Sequence, residues 1–244
     1  MPRKERSRLA SVSGLRVPLI IRWPKNFPAP ARYAPSTVNA ELVSLLDLTA
    51  TTLAAANVPR PLLMQSHSLI GERTTPPRSY AFAARDRIDE TEQRIRSVHD
   101  PRFHYIRTLS TGPTFASLNR YKEKCFPIYP LMRQLLAEGK LTGAPLELMQ
   151  RTGPGEELYD LRSDPHEIKN LAASTQPEHR EALIRLRAAL DTWMAETGDR
   201  GHIPEPRAIV APFAKEMHDW FGTPAWAQSG AAPAPAAAPA PTRR

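Results

Sequence analysis

Cysteine is almost missing from this sequence: Cys125 is the only one in 244 residues. An intrachain disulfide is therefore excluded, and the fold does not depend on an oxidising compartment. A long apolar run is missing too. The basic stretch 1–9 is not followed by the apolar segment of a signal peptide or a membrane span. The sequence as written carries no export address, so a cytoplasmic chain without a membrane partner is the default expectation. Blocks of five or six like charges are also absent. Although the net charge is +8, the arginines are interspersed with Asp and Glu, and recognition helices and aromatic-basic motifs are missing, which argues against nucleic acid. The seven histidines show no His-x-x-x-His spacing, which argues against zinc.

Proline is abundant, with 26 residues, about twice the usual share of roughly 5%. Much of the chain must be loop. The length suffices for one sizeable domain, or for a domain with a subdomain.

Along the chain, Gly14-Leu15-Arg16-Val17-Pro18-Leu19-Ile20-Ile21-Arg22-Trp23-Pro24 reads as a buried strand bounded by Gly and Pro. Ser44-Leu45-Leu46-Asp47 matches a capping box, so a helix should run from Ser44 to Asn57, a residue suited to a left-handed helix end before Pro59. Leu46 is expected on its buried face and Thr49 on the exposed one. Tyr80 to Ala84, Ile95 to Val98 and Phe103 to Ile106 read as strands, the last two as a hairpin around Asp100-Pro101. Leu131 to Glu138 reads as a helix ended by Gly139, and Glu157 to Leu161 as a fourth strand closed by Asp164-Pro165.

From Pro177 to Thr197, Leu183, Leu186, Leu190 and Trp193 recur at threes and fours, with an i,i+4 pair Glu181/Arg185. This is an amphipathic helix stopped by Gly198. Trp23 and Trp193 are expected in the core, and Asp160 and Asp164 as turn formers. After Trp226 the Ala/Pro-rich sequence lacks side chains that could offset ordering entropy and should be disordered. The sum is a small antiparallel sheet with a packed helix, beside one strand that belongs to a larger sheet.

Five segments in order resemble the C-terminal region of formylglycine-dependent sulfatases, closest to the heparan N-sulfatase-like branch. They are Gly14 to Pro18 with its strand, Val43 to Leu48, Ala83-Ala84-Arg85-Asp86-Arg87, Arg96-Ser97-Val98 through Tyr105-Ile106-Arg107, and Glu157-Leu158-Tyr159-Asp160-Leu161 with Asp164-Pro165, Glu167, Asn170 and Leu171. The last is the most specific. The resemblance implies an α/β, alkaline-phosphatase-like (sulfatase) fold, here a partial catalytic domain plus a C-terminal antiparallel sheet with a packed helix. The implied division is 1–78 as a remnant of the catalytic domain, 79–205 as the C-terminal subdomain, 206–227 as an extension and 228–244 as the disordered tail.

In that family a hydrated formylglycine attacks the sulfur and a Ca2+ ion held by carboxylates and an amide orients the sulfate. The thirteen residues before Gly14 hold no paired aspartates, so the nucleophile and the calcium ligands are expected to be absent and the chain to be an inactive fragment. Cys125-Phe126-Pro127-Ile128-Tyr129 has Tyr129 where the formylglycine motif needs Arg, and Cys125 reads as a small buried residue. Sulfated small molecules or sugars are the implied partners.

A basic residue ahead of the first strand meets the substrate sulfate in this family, with Lys4, Arg6 and Arg8 as the candidates. Arg85, Asp86 and Arg87 are candidates for anionic groups of an acidic sugar, with His99 beside them; the competing reading is a surface salt-bridge cluster with Asp89 and Glu90. A noncatalytic anionic-glycan or protein binding module, and a phosphatase or phosphodiesterase of the same superfamily, remain as alternative functions.

Overall fold

A computed structural model describes residues 15–26, 29–70 and 76–228. The Ala/Pro-rich tail after Gln228 and the basic residues Lys4, Arg6 and Arg8 lie outside the described residues. Four strands, β1 (Ala81–Ile88), β2 (Thr91–His99), β3 (Phe103–Pro113) and β4 (Thr152–Asp160), pair in the order β1-β2-β3-β4. The helices are α1 (Leu46–Ala55), α2 (Arg120–Cys125), α3 (Ile128–Ala137), α4 (Gly143–Gln150), α5 (Pro177–Glu196), α6 (Arg207–Phe221) and α7 (Ala225–Gln228). The chain divides into two compact units, and each strand contributes to both.

The first unit is built on α5. Ala182, Leu183, Leu186 and Leu190 pack on Val98, Phe103, Tyr105, Leu158 and Leu171. Trp193 is half-buried and stacks on Phe82 at 5.2 Å between ring centroids. The β2–β3 turn is held by the Asp100 carboxylate, which accepts from the Arg102 and Phe103 amides at 2.7 and 2.6 Å.

The segment from Glu157 to Leu171 is specific because almost every polar residue in it serves the backbone or a buried partner. Asn170 Oδ1 accepts from the amides of Leu158 and Ala172 at 3.0 and 2.9 Å. Asp164 Oδ2 accepts from those of Ile168 and Lys169 at 2.6 and 2.8 Å. Asp160 closes its turn on the Arg162 amide and pairs with Arg102 at 2.8 Å. Glu167 reaches the buried ring of His104 at 2.5 Å.

Around α1 half of the capping box forms: the Ser44 amide donates to Asp47 Oδ2 at 2.9 Å, while Ser44 Oγ accepts from the Leu46 amide at 3.3 Å and the Asp47 amide donates to the Ser44 carbonyl instead. Asn57 takes φ 58° and ends the helix as expected. The buried face differs from the expected one. Asp47 and Ala50 are buried, whereas Leu46 is 60% exposed and sits beside exposed Leu45. The helix turns its charged cap residue inward because Arg78 and the His67 amide satisfy it there.

The apolar run from Leu15 to Pro24 forms no strand. Val17, Leu19 and Ile21 are exposed, and Ile20 is 89% exposed. A strand needs a neighbour for its backbone groups, and the described strands pair only among themselves. Trp23 is half-buried rather than core, its indole N–H donating to the Tyr33 carbonyl at 3.2 Å.

The second unit has its own core of Ala116, Met132, Leu141 and Met149, supported by Phe115, Leu135, Leu136 and Leu146. Gly153 on β4 is required where the strand meets β3, since a Cβ there would stand 2.3 Å from the Ser110 carbonyl oxygen. The helices α2, α4 and α6 carried no recognised periodicity, and Pro212 inside α6 disguised it further. Where disorder was expected to begin after Trp226, α7 forms one turn closed by Gln228 donating to the Thr223 carbonyl at 2.7 Å.

Candidate functional site

Of the residues singled out from sequence, Arg85, Asp86 and Arg87 fall in the second compact unit and His99 in the first. Alternation along β1 sends the three neighbours to different tasks. Asp86 pairs with Arg96 at 2.8 Å. Arg87 pairs with Glu205 at 2.7 Å, donates to the Asp89 carbonyl at 2.5 Å and lies 4.0 Å over the Phe213 ring. Glu90, expected in the same surface cluster, serves Arg120 instead at 3.3 Å.

Arg96 is the polar centre of this unit. Its side chain is fully buried, with Nε 3.0 and 2.9 Å from the two Asp199 oxygens and Nη1 donating to the Arg85 and Ile95 carbonyls. Gly201 lies against its guanidinium so closely that a Cβ would stand 2.3 Å from Nη2.

Arg85 differs from its neighbours. Its Nε and Nη2 are buried, and neither has a hydrogen-bond partner among the described residues. Burial pushes its pKa below the ordinary value, against the opposing effects of Tyr129 and Asp89. Near it stands Lys122, whose pKa is lowered by burial first and by the Arg85 charge second, with Asp89 opposing.

Lys122 is positioned by the cap of α2. Asn119 Oδ1 accepts from the Lys122 amide at 2.9 Å, while Asn119 Nδ2 donates to Thr91 Oγ1 at 3.0 Å and Asp89 Oδ2 at 3.1 Å. Lys122 Nζ lies 5.6 Å from the centroid of the buried Tyr129 ring, which stacks on Phe115 at 4.9 Å. Neither Lys122 nor Tyr129 was singled out from sequence as part of a site. The usable signal was Asn119, a strong capping residue three positions before Lys122. Cys125 is exposed at the end of α2, contrary to its reading as a buried residue, because that helix buries none of its own residues.

His99 is half-buried, its ring 5.7 Å from that of His104. Burial, then repulsion from His104, lowers its pKa to about 4, against the opposing effects of Asp100 and Glu167. Between pH 6.5 and 4 an unfolded histidine holds a proton that the folded one refuses, so stability must fall as the pH drops through that window. We expect a loss of about 2–3 kcal/mol from this group. The difference in urea midpoint between wild type and His99→Gln should shrink from pH 7 to pH 4.5. An unchanged difference would mean that His99 titrates normally in the folded chain.

Among the described residues no helix is long and apolar enough to cross a membrane. No family model matches the chain. The chain is 36% identical over 209 residues to an ulvan-active sulfatase of Formosa agariphila, a match covering 86% of this chain and 33% of the relative. It is 29% identical over 205 residues to the N-sulphoglucosamine sulphohydrolase of Homo sapiens, covering 76% of this chain and 38% of that protein. A solved structure of a 2-O GAG sulfatase aligns with 74% of this chain and 32% of its own, at 22% identity and a TM-score of 0.47. The chain thus spans about a third of the length of the curated relatives it matches.

Proposed function

We propose, on the premise that this chain is a sulfatase homologue corresponding to a sulfatase C-terminal region, that it serves hydrolysis of a sulfate ester or N-sulfate on a sugar when joined to a catalytic part. The observation that carries this reading is the 36% identity to an ulvan-active sulfatase over 86% of the chain. The four-stranded sheet with α5 packed on it supports this reading, since the sequence resemblance implied such a sheet and helix for the C-terminal subdomain. The relatives favour neither phosphate-ester hydrolysis nor a noncatalytic module.

Sulfatases imply Ca2+ and a formylglycine. Among the described residues no group of three or more His, Cys, Asp and Glu could hold a metal ion. Cys125 stands exposed, and the motif position that needs Arg is the buried Tyr129. The described residues do not fit either group, and no step of the hydrolysis is assigned to them.

This chain's part in the reaction is structural and recognitional. The exposed run 17–21 supplies apolar side chains that a larger sheet would cover, and burying Val17, Leu19, Ile20 and Ile21 there offers about 1.5–3 kcal/mol per side chain. One of Lys4, Arg6 and Arg8, just ahead of that run, would then meet the substrate sulfate. The test is sulfate release by the chain alone and by the chain joined to the catalytic part of a relative; activity is expected only from the second.

A further inference from the structure

We infer that Arg85, Lys122 and Tyr129 form a binding site for an oxyanion, a sulfate or carboxylate group carried on an acidic saccharide. The saccharide assignment rests on the sulfatase reading; the anion site does not. The second unit supplies a carboxylate to Arg87, Arg94, Arg96, Arg120 and Arg133, through Glu205, Glu92, Asp199, Glu90 and Glu123. Among the described residues Arg85 has none. The nearby Asp89 carboxylate already accepts from Asn119.

The two unpartnered nitrogens, Nε and Nη2, make up the side edge of the guanidinium fork. That is the edge with which this chain's own arginines hold carboxylates: Arg78 grips Asp47 and Arg102 grips Asp160 through Nε and Nη2. An oxyanion takes two parallel hydrogen bonds there. A second cation, Lys122, is brought to the same place from a different element, although like charges in a poorly solvated setting destabilise each other. An anion between them removes both the repulsion and the unmade hydrogen bonds. Tyr129 forms an aromatic wall on the Lys122 side. Arg85 and Lys122 are both half-buried, whereas Tyr129 is buried.

The test follows the Arg85 Nε–H signal of the 244-residue chain by nitrogen-proton NMR during titration with sodium sulfate, against sodium chloride at matched ionic strength. A saturable shift with sulfate alone is expected. Lys122→Gln should weaken it about tenfold or more, the loss of one charge-assisted bond. Because Arg85→Gln risks unfolding the unit, Lys122→Gln with an unchanged circular-dichroism melt is the decisive variant. No saturable shift, or the same affinity in Lys122→Gln, overturns the site. Parallel titrations with glucuronate and with N-acetylglucosamine 6-sulfate, against uncharged N-acetylglucosamine, separate carboxylate from sulfate. Sulfate binding without binding of either charged sugar overturns the saccharide assignment. Loss of turnover in the joined enzyme speaks only to the sulfatase reading, since the anion titration needs no catalysis.

Discussion

Asp47→Ala is expected to lower the unfolding free energy by about 3 kcal/mol or more, measured by urea titration. The Asp47 carboxylate is almost fully buried and accepts from the Ser44 and His67 amides at 2.9 and 2.7 Å and from Arg78 Nε at 2.8 Å. Burial alone would raise its pKa, but the bonds from Arg78, His67 and Ser44 outweigh that and hold it below the usual range. Removing it deprives a guanidinium and two amides of their acceptor at once. Leu46→Ala, on the exposed side of the same helix, should cost less than about 1 kcal/mol. Equal losses for the two would mean that α1 presents a different face.

Asp199→Ala should be comparably severe, about 3–4 kcal/mol, because it leaves fully buried Arg96 without its two-oxygen partner. Asp86 remains as a partner but is half exposed and binds a single nitrogen. The charge, more than the lost contact, is what makes the change costly. The double variant Arg96→Met with Asp199→Ala should therefore be less destabilised than Asp199→Ala alone. A double variant as unstable as the sum of the singles would show that Arg96 contributes chiefly as packing volume.

The elements legible in the sequence are those whose determinants lie close together in it. Pro177, the apolar positions at threes and fours and Gly198 delimit α5 without reference to the rest of the chain, and Asp100-Pro101 defines the β2–β3 turn through bonds to its own neighbours. The end of α1 at Asn57 is local in the same way. The Leu15 to Pro24 run forms no strand here because apolar patterning reports a tendency to burial, while a strand also needs a partner among the residues present. The inward face of α1 was hidden because Arg78 lies 31 residues from Asp47.

The candidate site was legible only at Arg85. Which of the neighbours Arg85, Asp86 and Arg87 lacks an acidic partner depends on Arg96, Asp199 and Glu205, between 10 and 118 residues away. Lys122 and Tyr129 join Arg85 through the Asn119 cap and the α2–α3 corner, features that periodicity does not report.

The most direct test is sulfate release from ulvan by three proteins: this chain alone, the Formosa agariphila relative lacking its matched segment, and that truncated relative carrying this chain in the segment's place. The account predicts release only by the third, whose melting transition should also rise above that of the truncated relative. It would be contradicted by a folded third protein no more active than the truncated one, or by release from the isolated chain that Cys125→Ala abolishes.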